Sequence, residues 1–235
     1  MSAFAPSVVV FDCETQDKID NMPGVDRNDQ VRALEVSCLS YTVLNGEEVL
    51  ASPERANAEA ERSEVTTLWR DVDETGEGPF EPMLKAFDEA EVIASFNGLG
   101  FDHLLLWKYY KGDKQRYQEH QTKTHDMFAR LRESTTIWYK LDDLLKANGV
   151  PTKTANGLLA IKWWADGERD LLQEYCEADV RCLAKLLVQP RLALPRSKFV
   201  VENYTFGAAS ALAAALESRR IADALANGAG LVASS

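Results

Sequence analysis

The sequence predicts an α/β fold in which helices flank a mixed central sheet of about five strands. The apolar run at residues 8–11, three valines followed by a phenylalanine, is typical of a strand buried on both faces in the middle of such a sheet. A turn at Asn45-Gly46 indicates antiparallel strands beside it. A second buried run at residues 92–96 leads through a turn into a helix at residues 101–107, as strands and helices alternate in α/β proteins.

The other elements of the N-terminal half follow in chain order. The polar residues 16–30 predict a loop, the loosely alternating residues 33–44 a strand, and residues 48–51 the second arm of a hairpin. Residues 81–89 predict a short helix, since Pro82 suits a first helical turn. Two antiparallel strands therefore accompany the first strand in this prediction.

The C-terminal half is predicted to be mainly helical. One helix begins at His125, a second covers residues 141–147, and a long third helix covers residues 168–187. Residues 153–164 are interpreted as a basic link that carries tryptophan.

A change of composition at Pro190 predicts a boundary. Two prolines and three bases lead there into an alanine-rich helix, at about residues 207–226, and a frayed tail. We therefore divide the chain into a domain at residues 1–189 and a C-terminal extension at residues 190–235.

Composition restricts the class of protein. With 46% hydrophobic residues, no apolar run approaches the roughly 20 residues that span a bilayer, and the N-terminus lacks the pattern of a signal peptide. These features predict an intracellular protein, in the cytoplasm or inside a host cell if it is viral, with no membrane association. The four cysteines form no CxxC pair, which argues for reduced thiols and against zinc, and the missing GxGxxG pattern excludes a Rossmann oxidoreductase.

The net charge of −11 is unevenly distributed along the chain. Residues 59–91 contain eleven acids and three bases, a balance of −8, and this segment is a candidate contact for a protein partner. Residues 107–124 have five bases and two acids, a balance of +3, with aromatic residues between them. Such a segment suits a single-stranded nucleic acid, and it equally suits a solvated helix end.

Carboxylates interrupt apolar elements at three places in the sequence. Asp12 and Glu14 end the first strand on one face, where they repel each other unless a cation or a shared proton lies between them. Asp102 stands at a strand-to-helix junction, where helix capping is the alternative role. Tyr175 and Asp179 lie one turn apart within the apolar stripe of the long helix, where a surface pair is the alternative. A divalent metal ion would account for this pattern of acids.

The order and context of these residues resemble the DEDD superfamily of 3'-5' exonucleases, which have a ribonuclease H-like fold. Asp12-Cys13-Glu14 matches its DxE motif, and residues 97–102 match Asn-x3-Phe-Asp as found in the proofreading domains of family B DNA polymerases. Residues 175–179 match the Tyr-x3-Asp motif of the tyrosine branch, DEDDy, of these DnaQ-like enzymes. Residues 141–144 and 157–180 are also similar to stand-alone exonuclease domains of the YprB type. The resemblance covers about residues 7–189.

The resemblance implies a metal-dependent exonuclease that hydrolyses phosphodiester bonds at the 3' end of DNA or RNA. In such a two-metal-ion mechanism the cofactors are two Mg²⁺ or Mn²⁺ ions. The resemblance further implies that Asp12 bridges both ions, that Glu14 and Asp179 complete the first site, and that Asp102 holds the second. Tyr175 would orient the attacking water, because its ordinary pKa near 10 makes it a poor base.

The implied substrate is a single-stranded 3' end, contacted by Thr15, Asn97 and Phe101. Likeness to polymerase proofreading domains favours DNA over RNA. Asp126 is interpreted as a helix cap and His125 as a structural residue. Two alternatives stay open, namely a ribonuclease H-like endonuclease or resolvase, and a catalytically silent module that binds nucleic acid or protein. The sequence makes no prediction of oligomeric state.

Overall fold

A five-stranded mixed sheet forms the centre of the protein, which confirms the predicted α/β fold. The computed structural model describes residues 5–19, 23–152, 157–195, 200–202 and 207–232. The strands in these residues are β1 (Ser7–Thr15), β2 (Val36–Asn45), β3 (Val65–Trp69), β4 (Val92–Ser95), β5 (Thr124–Asp126), β6 (Arg191–Ala193) and β7 (Val200–Glu202).

The helices surround this sheet. They are α1 (Arg27–Ala33), α2 (Gly46–Ala51), α3 (Pro53–Arg62), α4 (Glu81–Glu89), α5 (Asp102–Leu106), α6 (Lys114–Lys123), α7 (Met127–Thr135), α8 (Leu141–Ala147), α9 (Gly157–Asp166), α10 (Arg169–Leu187) and α11 (Ala208–Val232). Short 3-10 turns occupy Gly98–Gly100 and Trp107–Tyr110. In the part of the chain that the structure describes, none of the helices is long and apolar enough to cross a bilayer.

The sheet has the strand order β3-β2-β1-β4-β5, so β1 lies at its centre. β2 pairs antiparallel with both β1 and β3, whereas β4 runs parallel to β1 and β5 runs parallel to β4. The carboxyl ends of β1, β4 and β5 therefore meet at one edge. Crevices at such an edge are where open α/β sheets bind ligands.

Each face of β1 contributes to a separate hydrophobic core. Val8 and Val10 belong to the core that includes residues of α8, α10 and α11, while Val9 and Phe11 belong to the core that includes residues of α4 and α5. All four side chains are almost completely buried. This alternation follows from the two-residue period of a strand, and it explains why residues 8–11 form a continuous apolar run.

The predicted hairpin at Asn45-Gly46 is wrong. The Asn45 side chain caps α2 by accepting hydrogen bonds from the amides of Glu47 and Glu48, so the chain enters two successive helices instead of a turn. Gly46 lies against the Pro6 carbonyl, which is 2.4 Å from the position that a β-carbon would occupy. The second antiparallel strand is β3, at Val65–Trp69, and not residues 48–51.

Several predicted boundaries also need correction. The loop at residues 16–30 ends at α1, which is capped by Asp26, and Ala33 belongs to that helix and not to β2. His125 was predicted to open a helix, but it lies in β5, and the helix α7 begins at Met127. Most of the predicted link at residues 153–164 is α9, while residues 153–156 lie outside the described residues. The helices predicted at residues 81–89, 141–147 and 168–187 are confirmed within one residue.

The C-terminal segment packs on the rest of the protein. β6 and β7 pair as a small separate sheet, and Ala208 and Leu212 of α11 are buried in the same core as Val8 and Leu44. The alanine-rich helix is thus confirmed. The division of the chain at residue 190 stays a prediction, and the last residues of the predicted tail, 233–235, lie outside the described part.

Intramolecular ion pairs compensate much of the acidic segment at residues 59–91. At least seven of its eleven acids pair with bases of this chain; they are Glu59, Glu61, Asp71, Glu77, Glu81, Asp88 and Glu91. The negative charge is therefore less available to a partner than the sequence balance indicates.

Because His103 is buried, we expect the folded protein to lose stability in acid. Its Nε2 lies 2.8 Å from the Thr124 hydroxyl, and its ring packs against Phe11. Burial, with a smaller effect of His120, lowers the pKa of His103 to about 3, whereas the unfolded value is near 6.5. The unfolded state then binds more protons between these values. Stability is therefore retained above pH 6.5 and lost below it, by up to about 1.4 kcal/mol per pH unit.

Urea denaturation at pH 7, 6 and 5 would measure this effect. We expect His103→Gln, which keeps a polar group for Thr124, to show a shallower loss of unfolding free energy than the unchanged protein. The difference should reach about 2 kcal/mol between pH 7 and pH 5. Equal pH slopes for both proteins would contradict the assignment to His103.

Candidate metal centre and active site

Three carboxylates from distant parts of the sequence meet at one point of the fold. Asp12 and Glu14 lie on β1 and Asp179 lies on α10, and each offers an oxygen within 4.8 Å of the other two. Glu14 and Asp179 are buried, and Asp12 is half-buried. Asp12 and Glu14 share the face of β1 that bears Val8 and Val10, as the two-residue period predicts. We call this group the carboxylate cluster.

The buried stripe of α10 brings Asp179 to β1. Leu172, Tyr175, Cys176 and Asp179 are all buried and follow a spacing of three or four residues, which places them on one helix face. The Cys176 thiol lies 3.7 Å from the Asp12 carbonyl oxygen. A hydrogen bond with Cys38, together with burial, raises the pKa of Cys176, so this side chain packs as a neutral group.

Aromatic contacts hold α9 and the start of α10 against the sheet. Trp69 of β3 stacks on Trp164 of α9 with 6.4 Å between ring centroids, and the Arg169 guanidinium lies over both rings. Arg169 also pairs with Asp71. The ring of Tyr175 packs against Trp163 at 5.9 Å, one turn before Asp179. The tyrosine is therefore held beside the carboxylate cluster by its neighbours.

Asp102 lies next to the carboxylate cluster but is not part of it. Its Oδ1 accepts a hydrogen bond of 3.1 Å from the backbone amide of Cys13, the residue between Asp12 and Glu14. Phe101 occupies the cap position of α5, so Asp102 does not act as the helix cap that was the alternative role. Burial, and then the charge of Asp126, raise the pKa of Asp102 to about 7 against the opposing backbone hydrogen bonds.

Asp126 has a second role besides the predicted helix cap. It caps α7 through the Ala129 amide, and it also accepts hydrogen bonds from the amides of Asn97 and Leu99. These bonds hold the turn between β4 and Asp102, where Asn97 adopts a left-handed conformation that asparagine tolerates. The sequence does not predict this second role of Asp126. The only feature that indicates it is that the parallel strands β4 and β5 end side by side.

The three predicted substrate residues lie at two places. Thr15 is the last residue of β1, is buried, and donates its hydroxyl to the Asp17 carbonyl at 2.8 Å. Asn97 and Asp126 line a cleft of about 520 Å³. Phe101 is half-buried and packs against the core that contains Phe11. Thr15 thus adjoins the carboxylate cluster in the chain, while Asn97 and Phe101 belong to the turn that carries Asp102.

Comparison with protein families decides which family this fold belongs to. The model described as RNase_H superfamily matches residues 55–189, which is more than half of the chain. The chain belongs to the RNase H superfamily. The predicted ribonuclease H-like fold is thereby confirmed, and membership of the RNase H superfamily supports a nuclease function. The matched residues include Asp102, Tyr175 and Asp179, and begin after Asp12 and Glu14.

This RNase H superfamily chain is also similar to two solved structures. The family B DNA polymerase from the hyperthermophilic archaeon Pyrobaculum calidifontis is 20% identical with a TM-score of 0.49, covering 77% of this chain and 24% of the polymerase. Product-bound exonuclease I is 14% identical with a TM-score of 0.39, covering 72% of this chain and 45% of the exonuclease. The chain therefore spans about a quarter of the polymerase and less than half of exonuclease I. Comparison with curated proteins gave no match.

The donor set of the carboxylate cluster fits a hard divalent cation. RNase H-like nucleases generally use divalent metal ions. Oxygen ligands of Mg²⁺ lie about 3 Å apart when they are neighbours in the octahedron and about 4 Å apart when they are opposite, so oxygens within 4.8 Å of one another can reach one ion after small side-chain movements. Carboxylate oxygens favour Mg²⁺ or Mn²⁺, and within the described ranges no group of cysteines and histidines offers a zinc site.

The basic segment at residues 107–124 is largely engaged within the fold. Lys108 pairs with Glu35 at 2.7 Å, Arg116 pairs with Glu81 and Asp88, and Lys123 donates to the carbonyls of Phe87 and Asp88. Its aromatic residues, including Tyr110 and Tyr117, pack into the core. These contacts leave little of the segment free to bind a nucleic acid.

Proposed function

We propose that this chain is a metal-dependent 3'-5' exonuclease of the DEDDy branch, which hydrolyses phosphodiester bonds at the 3' end of a nucleic acid strand. The observation that carries the proposal is the carboxylate cluster of Asp12, Glu14 and Asp179, in a chain of the RNase H superfamily. Holding three carboxylates together, two of them buried, costs free energy unless cations compensate their charge, so the cluster is best explained by metal binding.

Each acid has a proposed role. Asp12, Glu14 and Asp179 would hold the first ion, and Asp12 would also hold the second ion together with Asp102, whose carboxylate lies against the Cys13 amide. When bound, two divalent ions supply a nucleophile by lowering the pKa of water and neutralise charge on the leaving oxygen. The proposed cofactors are therefore two Mg²⁺ or Mn²⁺ ions.

The remaining site residues act on water and substrate in this proposal. Tyr175 orients the attacking water, since its ring is held by Trp163 and its position is one turn from Asp179. Thr15, at the end of β1, contacts the terminal nucleotide. Asn97 and Phe101 contact the strand from the turn that Asp126 holds in place.

The substrate class is a single-stranded 3' end, with DNA favoured over RNA. The proposed domain boundaries are the ones that the sequence predicts. The nuclease domain covers residues 1–189, and the extension at residues 190–235 shares its hydrophobic core. A protein partner at residues 59–91 and an intracellular location are further expectations that follow from the sequence.

Digestion of end-labelled oligonucleotides tests the proposed activity. We expect 3'-labelled linear single strands to release labelled mononucleotides with Mg²⁺ or Mn²⁺ and to stay intact in EDTA, because the ions supply the nucleophile. Matched DNA and RNA strands, single and double stranded, would identify the preferred substrate.

Circular single strands are the matched control for this experiment. A 3'-5' exonuclease leaves a circle intact, so cleavage of the circle would identify a ribonuclease H-like endonuclease or resolvase instead. Binding of strands without hydrolysis in any metal would identify a catalytically silent module. Release of a 5' label as the first mononucleotide would contradict the proposed direction.

A further inference from the structure

An exposed tryptophan lies just beyond α7. Trp138 keeps 65% of its surface exposed, although the Arg132 guanidinium lies 4.3 Å from its ring centroid. Phe128 packs against the same ring at 5.2 Å and against Phe96 at 5.6 Å. The indole is therefore held in place by two neighbours and still offers a large aromatic surface to solvent. We call Trp138, Arg132 and Phe128 the aromatic platform.

The aromatic platform borders a cleft that is also lined by Asn97, one of the proposed substrate residues. The cleft of about 520 Å³ is lined by Phe128, Arg132 and Glu133 on α7 and by Asn97, Leu99 and Gly100 on the second wall. The second wall is the turn that leads to Asp102, and the Asp126 hydrogen bonds hold it. A strand lying in this cleft would thus run between the aromatic platform and the turn that carries a proposed metal ligand.

The surroundings of the platform are basic in an acidic protein. Residues 130–140 contain the bases Arg130, Arg132 and Lys140 and the acid Glu133, a balance of +2 in a chain of −11. All three bases are exposed, and in the described part of the chain none of them forms an ion pair with an acid. This distinguishes residues 130–140 from residues 107–124, where Lys108, Arg116 and Lys123 are engaged internally.

Two acids, Asp126 and Glu133, line the cleft beside Arg132, and backbone amides compensate the first of them. Asp126 accepts three backbone amide hydrogen bonds, two from the turn and one from the start of α7. Amides at a helix N-terminus compensate a negative charge. Arg132 and Glu133 then remain as opposite charges in the cleft, so the attraction for phosphate groups comes from the platform side, where Arg130, Arg132 and Lys140 outnumber Glu133.

We propose that Trp138 stacks a base of single-stranded nucleic acid while Arg132 contacts its phosphates, with the 3' end of the strand directed to the carboxylate cluster. This inference rests on the proposed function, since it assigns the path of the same substrate. Aromatic stacking tolerates any base, because every base has a π-face, so the platform binds strands without strong sequence preference. A protein partner would not require the basic surroundings or the adjoining cleft that Asn97 lines.

Strand binding in EDTA, where no hydrolysis is expected, tests the platform separately from catalysis. The probes are fluorescently labelled 12-mers of DNA and of RNA, and the readout is anisotropy with the full chain. We expect Trp138→Ala to weaken binding by about tenfold and Trp138→Phe, which keeps an aromatic face, to weaken it less. Leu225→Ala is the matched control, because Leu225 is an equally exposed apolar residue on α11.

Intrinsic fluorescence and a minimal substrate complete the test. Strand binding should quench tryptophan emission, and Trp138→Phe should remove most of that quenching. The p-nitrophenyl ester of thymidine 5'-phosphate is too short to reach the platform, so we expect Trp138→Ala to hydrolyse this ester as fast as the unchanged protein does. The KM of the same variant for a 12-mer should rise about tenfold.

The outcomes separate this inference from the proposed function. Weaker strand binding by Trp138→Ala in a protein that hydrolyses nothing would support the platform and refute the exonuclease. Unchanged affinity of a folded Trp138→Ala variant for DNA and RNA would overturn the platform, whatever the activity, and would assign the exposed tryptophan to a protein contact.

Discussion

Replacing Asp179 with alanine is expected to abolish the metal-dependent release of mononucleotides from a 3' end. Asp179 supplies one of the three carboxylates of the cluster, and it is the only one of them on α10. Loss of a metal ligand removes several kcal/mol of transition-state stabilisation, so we expect a decrease of about 10³-fold or more. Asp12→Ala should have the same effect, because Asp12 is proposed to bridge both ions.

The measurement is release of labelled nucleotide at saturating Mg²⁺ or Mn²⁺. Asp170→Ala is the matched control, since Asp170 lies on the same helix and is exposed. Full activity of either purified cluster variant would refute the proposed metal centre.

A stability readout shows whether such a loss reflects metal binding. A ligand that binds only the folded state raises the melting temperature, so Mg²⁺ should stabilise the unchanged protein. Asp179→Asn should remove this shift, and it should not destabilise the metal-free protein, because it relieves repulsion among buried carboxylates. An inactive variant with a normal Mg²⁺ shift would place the role of Asp179 outside metal binding.

Replacing Tyr175 with phenylalanine is expected to lower the turnover number by about 10²-fold without abolishing activity. The variant removes only the hydroxyl, while the ring can still pack against Trp163. Misplacement of a reacting group by about 1 Å can cost about 10²-fold, which is the scale expected when the attacking water loses its orientation. The metal ligands are unchanged, so the Mg²⁺ shift in melting temperature should persist.

Single-turnover hydrolysis of a 3'-labelled strand measures this effect. Tyr139→Phe is the matched control, because Tyr139 is also a buried tyrosine but belongs to the core around Val8 and Leu144. An unchanged rate in Tyr175→Phe would remove the tyrosine from the mechanism.

Local periodicity was sufficient to predict much of the candidate site. A strand places residues two apart on one face, and a helix places residues four apart on one face, so the sides shared by Asp12 with Glu14 and by Tyr175 with Asp179 follow from spacing alone. The helices α4, α8 and α10 were equally predictable, because turn residues such as Pro82 and Gly149 mark their ends.

The Asn45-Gly46 pattern is compatible with two local structures, and the predicted one is wrong. An asparagine followed by glycine favours a hairpin turn, yet an asparagine oxygen also caps helices, and Asn45 does the latter. The choice depends on Pro6, whose carbonyl accepts the Gly46 amide, and on Leu212 of α11, which packs there. Neither neighbour is recognisable from the residues around the turn.

The sequence alone determined the fold class, the order of the acids and the faces on which they lie, because these properties depend on residues a few positions apart. Only the tertiary structure decided that Asp179 joins Asp12 and Glu14 while Asp102 stays beside them, and that Asp126 holds the turn carrying Asn97. It also decided that most bases at residues 107–124 have internal partners and that the exposed Arg132 lies over the ring of the exposed Trp138. Contacts of this kind join residues far apart in the chain, and their distances follow from how helices and strands pack, which no local pattern specifies.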